Sequence, residues 1–470
     1  MATTKLYGVV LFVAACGGDG KPDQDTTPET TWGVEETQGD DGQGPAGDDA
    51  TSDVETSGVT SGAADAAESS DTGINDTGDA SDTTNDDGST GDTPPLPGEV
   101  PLEGYGTLST FGQGGDECVV TTLNDSGPGT LRDCIENRGG NGGDPEPRVI
   151  LFEVGGTINV MSDIRVRQPY LTVDGLSAPA PGITIEKSGN GTEGEFIIGT
   201  WPGNQTCGHD VLVQGLRFQG VWAHNTEDTS NNAGTIGLDG EDLPLCLHHV
   251  VLNRITVLDA QDAAGDIWGS ASDITVQYSA FLDSLHPSTY SHSPGGENDQ
   301  QRERLSNHHN LYANFHERGP QVRGDNRDSN FEQNIVHRWA AFGFGGGYGM
   351  RLRCRDNACP QRLNVSHNHF TGASDQPQTA LIIGEQAGAD ADEMTLAPQV
   401  YMEDNWRPAT GSDQGTAPAS FDRAAEAEVT IYTHGEVVAL VLPNIGAPYR
   451  TAYEDMLFEE VGAQLDADHR

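Results

Sequence analysis

Basic residues are scarce in this 470-residue chain, which carries 24 lysines and arginines against 73 aspartates and glutamates. The shortage is greatest in residues 17–100, where Lys21 is the only basic residue beside 22 carboxylates. Residues 101–470 still hold 22 basic against 51 acidic residues. Because a surface that binds nucleic acid is basic, this composition argues against nucleic acid as a partner. An acidic protein that acts on a polyanion must concentrate its few arginines at one place or hold a bridging cation.

Apolar side chains are also few: hydrophobic residues make up 34% of the chain and aromatic residues 6%. Residues 17–100 consist mainly of Thr, Ser, Gly, Pro, Asn and acidic residues. Such a segment buries too little apolar surface to offset the entropy that is lost when it becomes ordered. The sequence therefore predicts a disordered acidic linker over 17–100, extended by charge repulsion, and a folded domain over 101–470.

The apolar run at the N-terminus, Leu6–Ala15, is too short to cross a bilayer as a helix. It follows Lys5 and ends in Val13-Ala14-Ala15-Cys16, which resembles the lipobox of bacterial lipoprotein signals. The resemblance implies a signal peptide over 1–16 and a lipid on Cys16, which would be the chain's only membrane contact. An ordinary secretory signal is the alternative. Either way, we expect a secreted protein, held at the cell surface or outer membrane if it is lipidated.

Metal-binding cysteine patterns are missing, since the sequence has no paired CxxC or HxxxH spacing. Six of the seven cysteines remain once Cys16 is set aside, and an even number in an exported chain indicates disulfides. Fifteen pairings of six cysteines are possible. The simplest is sequential: Cys118 with Cys134, Cys207 with Cys246, and Cys354 with Cys359.

A long helical period is also absent after about residue 147, where short β-type runs alternate with Gly, Asn, Asp and Pro. Six runs align so that one position recurs at spacings of 24 to 37 residues: Ile255, Ser279, Asn310, Asn334, Asn368 and Asn405. A repeat with variable insertions is typical of a solenoid, in which each coil contacts only its neighbours. The four asparagines predict a ladder of side-chain hydrogen bonds inside a tight bend. Sandwiches and propellers are the alternative all-β folds.

One segment, Gly129–Glu136, has apolar residues at helical spacing just before the first strong strand. An uncovered terminal coil would leave a bare apolar edge. We therefore expect a short helix that caps the N-terminal end of the solenoid.

Several segments resemble bacterial pectate lyases of polysaccharide lyase family 1. They include VVTTLNDSGPGTLRDCIE, PRVILFEVGGTINV, DAAGDIWGSASDITVQYSAF and NHHNLYANFHERGPQVRGD, and the likeness covers about residues 105 to 410. Its most specific part is the R-x-P-x-x-R pattern that begins at Arg318. The resemblance implies a right-handed, single-stranded parallel β-helix that cleaves polygalacturonate or pectin, and we expect a monomer.

The same resemblance assigns chemical roles within that pattern. β-Elimination removes the C5 proton of a galacturonate, next to its carboxylate, and expels the C4 oxygen. The family's base falls on Arg318, and Arg323 would pair with a substrate carboxylate in a fork that lysine cannot form. The position of a substrate-binding lysine falls on His286, which lacks a fixed positive charge.

The resemblance also implies a calcium site one or two coils earlier. Calcium prefers oxygen ligands and neutralises the carboxylate next to the C5 proton. Its carboxylates fall on Asp262 and Asp266, and a further ligand falls near Asn232, which contributes a carbonyl but no charge. The family's Trp-x-Asp-His signature is missing, because Val251-Leu252-Asn253-Arg254 stands in its place.

Three other functions fit parts of the sequence. A pectin lyase would act on methylated chains without calcium and would need an aromatic cleft. A hydrolase would need carboxylates placed to activate water, and the sequence shows no such set beside Arg318. A non-catalytic, glycan-binding solenoid would use the anchor and linker for display, but it would not need two arginines beside an acidic pair.

Overall fold

The computed structural model describes 100–137, 146–188, 195–200, 206–225, 235–240, 246–262, 264–290, 302–344, 347–354, 361–372, 380–386, 398–406, 420–421 and 427–468. The chain divides into two units, 1–89 and 90–470, and the description that follows concerns the second. Four predictions lie outside the described residues: the signal peptide over 1–16, the linker before residue 100, the ligand Asn232 and the Cys354–Cys359 pair.

Three parallel sheets make up the described part of the second unit. The strands of sheet A are Asp116–Val120, Arg148–Phe152, Leu171–Asp174, Val211–Gln214, Leu247–Asn253, Ala271–Gln277, Arg302–His308, Asn326–Arg327, Ser329–Glu332, Arg362–Ser366 and Gln399–Glu403. Those of sheet B are Gly156–Val160, Ile183–Lys187, Leu216–Gln219, Thr256–Leu258, Ala280–Leu282, Leu311–Ala313, Ile335–His337 and His369–Thr371. Those of sheet C are Ile164–Val166, Phe196–Gly199, Ile236–Gly240, Asp266–Gly269, Thr289–Tyr290, Gln321–Arg323, Met350–Cys354 and Leu381–Gln386.

Each coil of the chain passes through sheets A, B and C in turn and then returns to sheet A one strand further along. Equivalent residues therefore stack: Leu238, Ile267, Tyr290, Val322 and Leu352 are register partners in sheet C and all are buried in the core. Side chains alternate along a strand, so the residues before and after each of these point away from the core. The prediction of an all-β, parallel β-helix is confirmed.

The predicted asparagine ladder lies in the bend between sheets A and B. Asn310 donates its side-chain amide to Asn334 Oδ1, Asn334 to Asn368 and Asn368 to Asn405, at 3.0, 3.0 and 2.9 Å. Each acceptor oxygen also takes the backbone N–H of the residue before it in the ladder. Ser279 N–H joins the ladder at Asn310 Oδ1, 2.9 Å away. The ladder thus satisfies buried backbone donors that the tight bend leaves without strand partners.

Helical elements are few and lie mainly near the ends of the described part. They are the 3₁₀ turns Tyr105–Thr107, Gly175–Ser177 and Leu442–Asn444, the π-helical turns Asp133–Asn137 and Val437–Val441, and the α-helices His434–Glu436 and Ala452–Asp468. The turn at Asp133 lies where a capping helix was predicted: Cys134 and Ile135 are buried in the core. Disulfides join Cys118 to Cys134 and Cys207 to Cys246, as in the sequential pairing. Among the described residues, no helix is both long and apolar enough to span a membrane.

The C-terminal segment packs back onto the outer face of sheet B. Its apolar residues form a second core with the strands of that sheet, and Leu442 and Phe458 belong to it. Arg217, on a strand of sheet B, forms an ion pair with Glu454 of the last helix, and both side chains are buried (2.7 Å). The segment from Leu102 to Phe111 packs in a similar way on the outer face of sheet A, where Tyr105 N–H donates to Ser306 Oγ. Sheet C therefore remains the face on which a site can open.

Candidate active site

The predicted site residues come together where the chain turns from sheet B into sheet C. Asp262, His286 and Arg318 lie in equivalent turns of three successive coils, and the turns are joined by backbone hydrogen bonds from Leu285 to Ala260 and from Glu317 to Leu285. Asp266 opens the next strand of sheet C, with its side chain directed away from the core. Stacking in register therefore gathers side chains that are far apart in sequence.

A ring of four charged or polar side chains links these turns. Asp262 Oδ1 lies 3.2 Å from Arg318 Nη1 and 2.8 Å from His286 Nδ1. Glu317 Oε1 closes the ring at 3.4 Å from both His286 Nε2 and Arg318 Nε. The His286 ring is buried, and both of its nitrogens face carboxylates. In this position the ring supports the carboxylates of Asp262 and Glu317, and the role of His286 as a substrate ligand stays a prediction.

Charges within the ring shift the pKa values of its members. Burial lowers the pKa of Arg318, but the carboxylates of Asp262 and Glu317 outweigh burial and raise it above its ordinary value. Burial raises the pKa of Glu317, whereas the hydrogen bond from His286 and the charge of Arg318 bring it down to about 2. Arg318 is therefore protonated and Glu317 ionised at neutral pH. Arg318 can act as a base only if its pKa falls, which requires that negative charge be removed from its surroundings.

Asp266 is the most deeply buried carboxylate of the site. Its Oδ1 accepts the backbone N–H of Thr289 at 2.6 Å, while its Oδ2 has no hydrogen-bond partner among the residues that the structure describes. Burial raises its pKa well above the ordinary value, and the charge of Asp262 adds to this effect. A buried carboxylate oxygen without a hydrogen-bond partner, next to a second carboxylate, suits a hard cation such as calcium.

The described ligand set is nevertheless small. The register partner of Asp266 on the preceding strand is Gly237, which has no side chain that could act as a ligand. The space beside it is open, since a Cβ atom added there would meet no atom within 4 Å. Asn232, the predicted third ligand, lies outside the described residues. Asp262 and Asp266 are thus the two predicted calcium ligands that lie in the described part of the site.

Arg323 lies further along the same side of sheet C. Its strand, Gln321–Arg323, is two strands beyond that of Asp266, which corresponds to about 10 Å across the sheet. Its side chain is half-buried, and its backbone carbonyl accepts a hydrogen bond from the buried Arg302 (3.0 Å). Arg323 is therefore a neighbour of the ring of four residues rather than a member of it.

An aromatic group that the sequence analysis missed flanks the ring. Trp222 and His224 contact Phe342 with ring centroids 4.7 and 5.1 Å apart, and Phe344 lies 6.3 Å from Phe342. His316, two residues before Arg318, joins this group through Phe344 at 5.6 Å. The glycine-rich run Phe342-Gly-Phe344-Gly-Gly-Gly-Tyr348 was the signal in the sequence that could have indicated it. Flat rings beside a charged site suit the apolar face of a sugar.

Comparisons with known proteins agree with this architecture. No model of a protein family matches the chain. A protein named probable pectate lyase C from Aspergillus terreus is 28% identical over 351 residues, which are 75% of this chain and 71% of that protein. One with the same name from Emericella nidulans is 32% identical over 246 residues, 52% of this chain and 48% of that protein.

A solved structure, that of the cedar pollen allergen jun a 1, aligns with a TM-score of 0.53. The alignment covers 73% of this chain and 92% of the allergen, at 14% sequence identity. At that identity the likeness speaks for the fold alone, a parallel β-helix.

Proposed function

Because the chain belongs to the pectate lyase family of polysaccharide lyases, we propose that it cleaves polygalacturonate by β-elimination at the Asp262–Arg318 site. The observation that carries the proposal is the contact of Arg318 Nη1 with Asp262 Oδ1 at 3.2 Å, beside the buried Asp266. A guanidinium next to a cation-binding carboxylate pair is what a polyanionic substrate requires of an acidic protein.

The reaction explains the residue types. The C5 proton is taken as the C4–O bond breaks and a double bond forms between C4 and C5, and the expelled oxygen takes a proton from water. The C5 proton is barely acidic while the neighbouring carboxylate keeps its full charge. Calcium held by Asp262 and Asp266 would neutralise that carboxylate and attach the polymer to the protein.

Arg318 is the proposed base, and its contacts define when it can act. While Asp262 and Glu317 face it, the guanidinium keeps its proton. A cation held by Asp262 would offset the charge of that carboxylate, which is one of the two that raise the pKa of Arg318. In that state Arg318 would lose its proton more readily and would accept the C5 proton at alkaline pH. Glu317 and His286 hold the turn, and Arg323 is proposed to pair with a second substrate carboxylate.

One assay tests this proposal. Purified protein is incubated with polygalacturonate, and absorbance of the unsaturated product is followed with calcium and with a chelator. We expect a signal that calcium supports and the chelator removes. Reducing ends without absorbance would indicate hydrolysis, and absence of any turnover would indicate a binding protein, so either result would overturn the proposal.

A second candidate, a pectin lyase, is favoured by one observation. The aromatic group beside the ring suits the less charged surface of methylated pectin, and Asp262 already forms an ion pair with Arg318 without a metal. Esterified pectin in the same assay separates the two candidates. Product from esterified pectin in the presence of chelator, with none from polygalacturonate, would select the pectin lyase.

We also propose that the protein is exported. Disulfides persist mainly in oxidising compartments, and two lie in the described part of the chain. The lipid anchor at Cys16 remains a prediction. Labelling cells with a radioactive fatty acid tests it: the label should enter the wild type and be absent from Cys16→Ser.

A further inference from the structure

A cluster of three histidines and one aspartate lies at the start of two neighbouring strands of sheet A. His209 and Asp210 precede Val211–Gln214, while His248 and His249 lie on Leu247–Asn253. These strands pair with Val211 opposite Val250, which sets Asp210 beside His249 and His209 beside His248. The proposed active site lies instead at the turns from sheet B into sheet C.

The coordinating atoms of this cluster converge on one carboxylate. Asp210 Oδ2 is 2.5 Å from His209 Nδ1 and 3.8 Å from His248 Nδ1. Asp210 Oδ1 is 3.3 Å from His249 Nδ1. The Nδ1 atoms of His248 and His249 are 3.1 Å apart. His209, Asp210 and His248 thus place three ligand atoms within 4.8 Å of one another, and His249 Nδ1 contacts the second carboxylate oxygen of Asp210 beside them.

Local backbone geometry explains how residues adjacent in sequence face the same way. Successive side chains of a regular strand point to opposite sides. Asp210 and His249 instead adopt left-handed conformations, with φ of 52° and 50°, which interrupt the alternation. The backbone N–H of Asp210 donates to the carbonyl of His248 at 3.0 Å and fixes the register of the two segments. Non-glycine residues adopt this conformation only at a cost in free energy. Both coils adopt it beside the cluster, and this turns the four side chains towards one another.

A covalent link lies beside the cluster. The two segments read Cys207-Gly208-His209-Asp210 and Cys246-Leu247-His248-His249, and the two cysteines form a disulfide. Each cysteine is two residues before its histidine, and the His209 and His248 rings stack at 4.5 Å. Tyr170, on the preceding coil, packs edge-on against His209 at 5.7 Å. These contacts hold the rings before any ligand arrives, which lowers the entropic cost of binding.

The structure assigns to His209, Asp210, His248 and His249 a second metal site, one for a transition ion such as zinc. Imidazole nitrogens are ligands for zinc, whereas calcium takes oxygen. Zinc binds nitrogen at about 2.0–2.1 Å in tetrahedral geometry, which separates two ligand nitrogens by about 3.3 Å. The 3.1 Å between His248 and His249 is close to that separation. The side chains are 22–30% exposed for the histidines and 12% for Asp210, so an ion can reach them from solvent. Bound zinc would tie the two coils together beside the disulfide.

Zinc binding by calorimetry on the full, untagged protein tests the site. We expect one equivalent of zinc to bind the wild type, and His209→Gln/His248→Gln to weaken its affinity by more than about tenfold. His434→Gln replaces a half-buried histidine outside the cluster, and this matched control should bind zinc as the wild type does. His308→Gln reports on a second cluster, Glu103 with His308 and His309, which also meets the spacing for a metal.

Cobalt provides a second, spectroscopic readout of the same site. Cobalt in a tetrahedral nitrogen and oxygen site gives strong visible absorption bands, and the wild type should show them. Bands that vanish in the double variant, with elimination activity retained, would support the site. Absence of bands and of zinc binding in the wild type, unchanged binding in the double variant, or loss confined to His308→Gln would each overturn the proposal.

Discussion

Arg318 Nη1 lies 3.2 Å from Asp262 Oδ1, although the two residues belong to turns two coils apart. His286 occupies the coil between them and contacts the same carboxylate oxygen at 2.8 Å. The contact makes the protonation of Arg318 depend on where Asp262 directs its charge. The proposed cation binding and the proposed proton removal would therefore be coupled through this one pair of side chains.

Arg318→Lys should lower turnover on polygalacturonate by about 10²- to 10⁴-fold, the range that a positioned base contributes. Lysine is shorter and cannot present two forked nitrogens, so it loses the reach across two coils. Initial rates of absorbance increase measure the loss. Arg327→Lys is the matched control, since Arg327 is an exposed arginine paired with Asp325. Equal rates for Arg318→Lys and the control would remove Arg318 from the base role.

Asp266→Asn should abolish calcium-dependent stabilisation of the fold. Asp266 is a proposed calcium ligand, and a ligand that binds the folded state raises the unfolding temperature by mass action. The amide keeps an acceptor for Thr289 N–H, so the variant should fold without calcium. Thermal unfolding with calcium and with chelator is the measurement, and Asp404→Asn, an exposed carboxylate, is the control. A full calcium response in Asp266→Asn would place the cation elsewhere.

Asn334→Ala should destabilise the fold by about 2 kcal/mol or more. Asn334 accepts two hydrogen bonds from Asn310 and donates to Asn307 O and Asn368 Oδ1, and its loss leaves buried groups unpaired. Asn405→Ala, at the half-exposed end of the ladder, should cost less. Urea unfolding of both variants gives the comparison. A larger loss at Asn405 than at Asn334 would contradict the ladder's role.

Stability should fall as pH drops from about 6.5 to about 4, partly because of His309. Burial lowers the pKa of His309 to about 4, so its ring is neutral in the folded protein while the unfolded chain takes up a proton below pH 6.5. The contribution of His309 to stability is thus fully present above the pKa of histidine in the unfolded chain, and it is lost as pH falls towards the pKa of His309 in the folded protein. The loss is about 1.4 kcal/mol for each pKa unit between the two values. Urea unfolding at several pH values shows the slope. His309→Phe keeps the ring that stacks on Tyr278 and should flatten that slope; an unchanged slope would assign it to other groups.

The repeat in the sequence was enough to predict the solenoid, because asparagines such as Asn310 and Asn334 recur wherever a bend needs the same hydrogen bonds. The C-terminal helix Ala452–Asp468 was missed although its signals were present. Thr451 and Glu454 form a reciprocal capping pair, with bonds of 2.6 and 3.2 Å between side chains and backbone. The spacing of Leu457, Phe458, Val461 and Leu465 marks its buried face.

The proximity of Asp262 and Arg318 was predictable from the sequence, but the other contacts of the site were not. Sequence pattern and family resemblance pointed to Asp262, Asp266 and Arg318. The ring with Glu317 and His286 depends on how three turns stack, and insertions of different length hide that register in the sequence. The aromatic group was missed for the same reason: Trp222 and Phe342 meet across several coils.

A double-mutant cycle between Arg318→Lys and Asp262→Asn tests the central claim most directly. If the two side chains act as one unit, kcat/KM of the double variant on polygalacturonate should fall no further than that of the more damaged single variant. Losses that multiply would mean that Arg318 and Asp262 work independently, and that result would contradict the coupling of cation binding to proton removal.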